Sequence, residues 1–128
     1  MWKILFVLAG GALGSVFRYS VSGMSHRLFT GVFPYGTLVV NLAGSFFIGF
    51  AWGLLENTNI SSNFRTFLFI GIFGGFTTFS SYSLETMNLL RDGEIKMGLI
   101  NILGSNLLGL LLVFLGFILS KSIIQSLK

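Results

Sequence analysis

Four apolar stretches, at residues 4–24, 37–55, 64–90 and 97–118, decide what this chain can fold into. About 20 residues at 1.5 Å each cross the hydrocarbon of a bilayer, and every stretch is close to that length or longer. Backbone polar groups in lipid must be satisfied internally, so the stretches predict α-helices. The expected fold class is all-α, a four-transmembrane-helix protein. Composition agrees: 53% of the 128 residues are hydrophobic and 9% are charged, which leaves too little polar surface to cover a water-soluble core. Residues 1–128 are therefore expected to form a single transmembrane domain. The opening MWKILFVLAGGALG also has the lysine, apolar run and small residues of a secretory signal. Three more spans follow it, and a retained first helix is the simpler reading.

Several functions drop out at once. The chain has no cysteine, which removes disulfides, thiol chemistry and cysteine-held metals. Its net charge of +4 comes from scattered basic residues without a run or interleaved aromatics, so nucleic acid is not an expected partner. The sequence carries no phosphate-binding loop and no metal-ligand spacing. It is not expected to be an enzyme.

Lys and Arg normally accumulate on the cytoplasmic side of short loops. Here Lys3, Arg65, Lys121 and Lys128 fall on one side of a four-span chain and Arg27, Arg91 and Lys96 on the other, a difference of 4 − 3 = 1. So small a bias leaves two readings open. Either it suffices to orient the chain, or copies insert both ways and associate as an antiparallel two-fold dimer.

Polar residues within the spans are ordered. Thr37, Asn41 and Ser45 recur every fourth residue, as do Asn101, Ser105 and Gly109, so each set occupies one helix face. One such stripe alone reads as helix packing. Asn41 demands more, because a side-chain amide at mid-membrane needs partners or water. Arg18 costs about 2.5–3.5 kcal/mol at a bilayer centre on insertion scales, so it is expected to face a wet cavity or a partner. Glu85 lies toward the end of the third stretch, where both an interfacial and a buried functional role fit.

The third stretch contains GIFGGFTTFSSYSLE, residues 71–85, with three glycines and a run of hydroxyls. Glycine frees the backbone and Thr, Ser and Tyr need partners, so the helix is expected to break near residues 74–79. Unwound backbone at membrane depth is tolerated where it is buried or lines a cavity, and its carbonyls can bind a cation. Phe79 and Tyr82 are three residues apart and share a face. Their ring edges carry positive charge density. Beside the donors Asn41, Ser80, Ser81 and Ser105, those edges suit a small anion.

Three ordered blocks, GGALGSVFRY at residues 10–19, GTLVVNLAGSFFIGF at 36–50 and GGFTTFSSYSLE at 74–85, resemble the Fluc (CrcB) fluoride channel family over nearly the whole chain. The resemblance implies an antiparallel, dual-topology homodimer in the cell membrane, two fluoride pores, fluoride export and fluoride resistance. It also implies a structural sodium ion (Na+) at the dimer interface, held by backbone carbonyls that match Gly74 and Thr77. The family's pore asparagine matches Asn41, the first of its paired phenylalanines matches Phe79, its first-helix arginine matches Arg18 and the acid after the pair matches Glu85. Two features depart from the usual pattern. Tyr82 stands where the second phenylalanine is usual, and Gly109 and Val113 stand along a track often hydroxylated. Some relatives pair as unequal subunits, so a heterodimer is the alternative assembly. A small dual-topology, proton-coupled drug exporter is a rival function; it needs an embedded acid, and Glu85 is the one available. A non-transporting assembly subunit would leave the polar stripes and aromatic pair without a purpose.

Overall fold

The computed structural model describes residues 2–127, and all of its regular elements are helices. Helix α1 (Trp2–Leu28) and helix α2 (Tyr35–Leu55) are joined by a short loop, and Pro34 stands at the entrance of α2, where its carbonyl accepts the Leu38 N–H at 3.2 Å. The third span, Ser62–Arg91, is built from pieces. It opens with α3 (Ser62–Arg65), widens into a π-helical segment (Thr66–Phe73), tightens into the single turn α4 (Gly74–Phe76) and restarts as α5 (Phe79–Arg91). The long α6 (Ile95–Ser126) returns across the bundle. Trp2–Leu28, Tyr35–Leu55, Ser62–Arg91 and Ile95–Ser126 are each long and apolar enough to cross a membrane.

Local chemistry fixes the ends. The Ser61 hydroxyl caps α3 by accepting the Phe64 N–H at 3.2 Å, and the Thr78 hydroxyl caps α5 by accepting the Ser81 N–H at 3.2 Å. Gly93, at φ +84°, supplies the left-handed residue that ends α5 and turns the chain into α6. Arg65 closes the C-terminal end of α2, donating to the Leu55 carbonyl at 2.7 Å and the Thr58 carbonyl at 3.3 Å. Lys121 pairs with Glu56 at 2.5 Å while lying over the Phe117 ring. Two of the four basic residues counted on that side are thus engaged within the bundle; Lys128 lies outside the described residues.

The interior is made of small residues. Val40 and Leu89 are the buried hydrophobic side chains among the described residues, whereas Ser25, Thr37, Thr78, Thr86, Asn101 and Ser120 are buried polar ones. Large apolar side chains such as Leu8, Leu110 and Phe114 point outward, as expected where lipid replaces water. Helix α2 packs most extensively on α6, and α1 on the π-helical segment. Both contacts close through glycine: a Cβ on Gly49 would meet the Val113 carbonyl, one on Gly116 the Phe46 carbonyl, and one on Gly14 the Ile72 carbonyl. These are backbone neighbours that cannot swing aside.

Gly49→Val should therefore destabilise the fold by about 1–3 kcal/mol through overpacking. Gly23→Ala, where an added carbon meets nothing within 4 Å, should change stability by about 0.5 kcal/mol or less. Melting temperatures of the detergent-purified variants, followed by loss of monodisperse elution, check both.

Candidate functional site

The third span breaks at Thr77 and Thr78, whose backbone is extended (φ −79°, ψ 158° and φ −149°, ψ 111°). Asn41 from α2 clamps the gap. Its Nδ2 donates to the Thr78 carbonyl at 3.0 Å, and its Oδ1 accepts the Thr78 N–H at 2.8 Å. One amide thus satisfies both polar groups of the residue that left the helix. Because Thr78 N–H would otherwise serve the carbonyl four residues back, that of Gly74, the clamp frees the Gly74 carbonyl from its helical donor. The Thr77 carbonyl receives Arg18 Nη1 at 3.3 Å. Arg18, expected to need a cavity or a partner, has both.

Two cavities meet at the break, and Thr78 lines each of them. The first, about 360 Å³, lies between α2, the third span and α6 and takes in Asn41, Gly74, Thr77, Phe79, Tyr82 and Ser105. The Phe79 and Tyr82 rings approach to 5.4 Å between centroids at 49°, a tilted arrangement that presents edges rather than a closed stack. Phe79 is 77% exposed, projecting from its own chain. The second cavity, about 500 Å³, lies on the α1 side and takes in Arg18, His26, Thr37, Ser81 and Glu85. There Thr37 donates to Glu85 Oε1 at 2.7 Å, while Glu85 Oε2 is buried without a partner among the described residues. Glu85 therefore points inward and not simply into the membrane interface.

Of the sequence candidates, Asn41, Phe79, Tyr82, Ser105, Gly74 and Thr77 come together around one cavity, and Arg18, Ser81 and Glu85 around the other. Ser80 lines neither; it is exposed, and its hydroxyl lies 3.4 Å from that of Thr78. Two residues lining the cavities, Thr78 and Asn106, and one behind them, Asn101, were not singled out as site residues from sequence. Thr78 is the cap and the clamped residue. Asn106 donates to the Tyr82 hydroxyl at 3.0 Å. Asn101, 1% exposed, donates to the Thr86 hydroxyl at 2.9 Å and ties α6 to α5. Asn101 was visible in a polar stripe; Asn106 had no such signal, because its partner lies 24 positions away.

The arrangement favours an anion. The N-terminus of α5 opens at the break, where unpaired N–H groups and the helix dipole attract negative charge. Amide and hydroxyl groups, ring edges and the Arg18 guanidinium surround it. Among the described residues there is no cluster of three His, Cys, Asp or Glu side chains able to hold a metal ion.

A family model described as CrcB-like protein, Camphor Resistance (CrcB), matches residues 5–117. The chain belongs to the CrcB family. It is 54% identical over 128 residues, the full length of both chains, to a Parabacteroides distasonis protein named Fluoride-specific ion channel FluC. Proteins of the same name from Aquifex aeolicus and Shewanella amazonensis are 44% and 42% identical, over 96% and 91% of this chain and 100% and 94% of theirs. With four apolar spans, this CrcB member is a multi-pass membrane protein.

Removing the clamp should loosen the break specifically. In Asn41→Leu each stranded group of Thr78 costs about 1–3 kcal/mol, so the melting temperature should fall and the amides of residues 78–80 should exchange with deuterium faster, while those of α1 stay protected. Unchanged exchange at residue 78 would refute the clamp.

Proposed function

We propose that this protein is a passive, selective fluoride channel that exports fluoride across the cell membrane and so confers fluoride resistance. The observation that carries this reading is the broken third span, where the N-terminus of α5, the Asn41 amide and the Phe79 and Tyr82 ring edges converge on one cavity. The relatives named as fluoride-specific channels, similar along their whole length, supply the identity of the anion. Fluoride is small and strongly hydrated, so a pore must replace its water with donors and polarised edges, yet hold it loosely enough to leave. Arg18 in the second cavity would concentrate anions near one mouth. No coupling step is required. A membrane potential negative inside drives an anion outward, by about 2.3 kcal/mol per 100 mV.

The working unit in this reading is an antiparallel homodimer with two pores. The near-even charge balance allows insertion both ways, and Phe79, exposed on its own chain, would reach the partner. The Gly74 and Thr77 carbonyls would hold a structural sodium ion. The diverted Gly74 carbonyl fits that role, and Arg18 shares the Thr77 carbonyl through a long contact that leaves a lone pair. Two carbonyls are too few for a cation, so a second copy must contribute its own pair. The ion would fasten the two breaks together.

Fluoride-electrode recording of efflux from liposomes that contain only this protein, with valinomycin to clamp the potential and a parallel chloride trace, tests the proposal. Rapid fluoride release with silent chloride is expected; silence in both from a folded dimer would point to an obligate unequal partner. Asn41→Asp should slow release by more than about tenfold, since like charges about 4 Å apart at an effective permittivity near 20 repel by about 4 kcal/mol. Phe79→Ile should also slow it by removing the ring edge, and normal flux in both variants would sink the pore assignment. Glu85→Gln separates this function from proton-coupled drug export, because abolished drug resistance with undisturbed fluoride release would favour the exporter.

A further inference from the structure

We propose that Asn106 is a positioning residue that fixes the Tyr82 phenol as a hydrogen-bond donor to the conducted anion. The inference rests on the fluoride-channel reading and concerns how this chain's cavity grips its ion.

Asn106 follows Ser105 on α6, and its Nδ2 makes two bonds, to the Ile102 carbonyl at 2.7 Å and to the Tyr82 hydroxyl at 3.0 Å. The carbonyl settles which end of the amide is which: an amide oxygen at 2.7 Å from another carbonyl oxygen would be repelled, so the group must be the NH₂. Both amide hydrogens are then committed. The Tyr82 oxygen accepts, and its own proton must turn elsewhere. Among the described residues that proton has no acceptor.

Tyr82 and Asn106 both line the first cavity, where the other polar side chains are engaged at least once, apart from the Ser45 hydroxyl. Both ends of the Asn41 amide are held by Thr78, the Thr78 hydroxyl donates to Ser81 at 3.0 Å, and Ser105 leans on Asn101 at 3.4 Å. The Tyr82 phenol is an uncommitted donor among them, and Phe79 stands 5.4 Å away with its ring tilted against that of Tyr82. A phenolic O–H is more strongly polarised than an aliphatic one because the ring draws electron density from the oxygen, so it bonds an anion more strongly. Such a bond strengthens as the anion's charge becomes more concentrated, which favours fluoride over chloride. The tyrosine that stands in place of the usual phenylalanine thus keeps a ring edge and adds a directed O–H, and Asn106 sets its direction.

The test is the fluoride concentration dependence of flux, in liposomes, for the unmodified protein, Tyr82→Phe, Asn106→Leu and the double variant. Each single change should raise the half-saturating fluoride concentration by about tenfold, the scale of one hydrogen bond to a charged group, with the maximal rate moved far less. The double variant should be no worse than Tyr82→Phe alone. An Asn106→Leu effect of equal size in the Tyr82→Phe background would overturn the proposal, because Asn106 would then act without the phenol. So would an unmoved half-saturation in Tyr82→Phe, a change small enough to decide the matter even if Asn106→Leu and Asn106→Ala both elute as aggregates. An unmodified protein that conducts fluoride while its variants show no coupling defeats this inference alone. One that passes no fluoride defeats the channel reading and this inference with it.

Discussion

A helix interrupted inside a bilayer must find a partner for every backbone group it releases, because no water is present to take them. The Asn41 clamp meets that demand for Thr78, at the centre of this protein, and the groups the break leaves over face a cavity. Its consequences spread outward: the Gly74 carbonyl loses its helical donor, α5 gains a fresh N-terminus facing a cavity, and Thr78 is held where its hydroxyl can cap that helix. Breaking a helix is costly, and here the cost is offset in part by one side-chain amide while backbone polar groups become available to a cavity at membrane depth. The break and the polar lining of that cavity are two aspects of the same hydrogen bonds.

Close packing brings the remaining parts within reach. The glycines of α1 let it lie against the π-helical segment backbone to backbone, with the Gly10 and Gly71 chains in direct contact. At that separation Arg18, further along the same helix, reaches the Thr77 carbonyl. Across the bundle, Gly49 and Gly116 draw α2 and α6 together, while the Asn101–Thr86 bond secures α6 to α5. The aromatic pair is thereby framed by three spans although both of its members belong to α5.

Sequence alone made the four spans legible because each is a long apolar run, and the break legible because GGFTT combines free backbone with groups that need partners. Asn41 stood out for a physical reason too, since an amide at that depth cannot be idle. What stayed hidden depends on three-dimensional register. Nothing in TFLFIGIF, an apolar run suited to an α-helix, marks it as π-helical; the widening accompanies its glycine contacts with α1. Ser80 and Ser81 are adjacent and chemically identical, yet the helix restart turns one toward the second cavity and the other outward. Asn106 sits among leucines and gains its meaning from Tyr82, a tyrosine whose hydroxyl a pattern of ring edges does not require.

The inverted interior has a thermodynamic signature. Unfolding a water-soluble domain exposes apolar surface to water and raises the heat capacity. Here the buried positions are held by glycine, hydroxyls and amides, with Val40 and Leu89 as the buried hydrophobic side chains, and the large apolar groups already face the surroundings. Separating these helices within lipid would transfer almost no hydrocarbon into water. The dissociated state should therefore have nearly the same heat capacity as the native one, and bundle stability should follow temperature along an almost straight line, without the dome that gives soluble proteins a cold-denaturation limb.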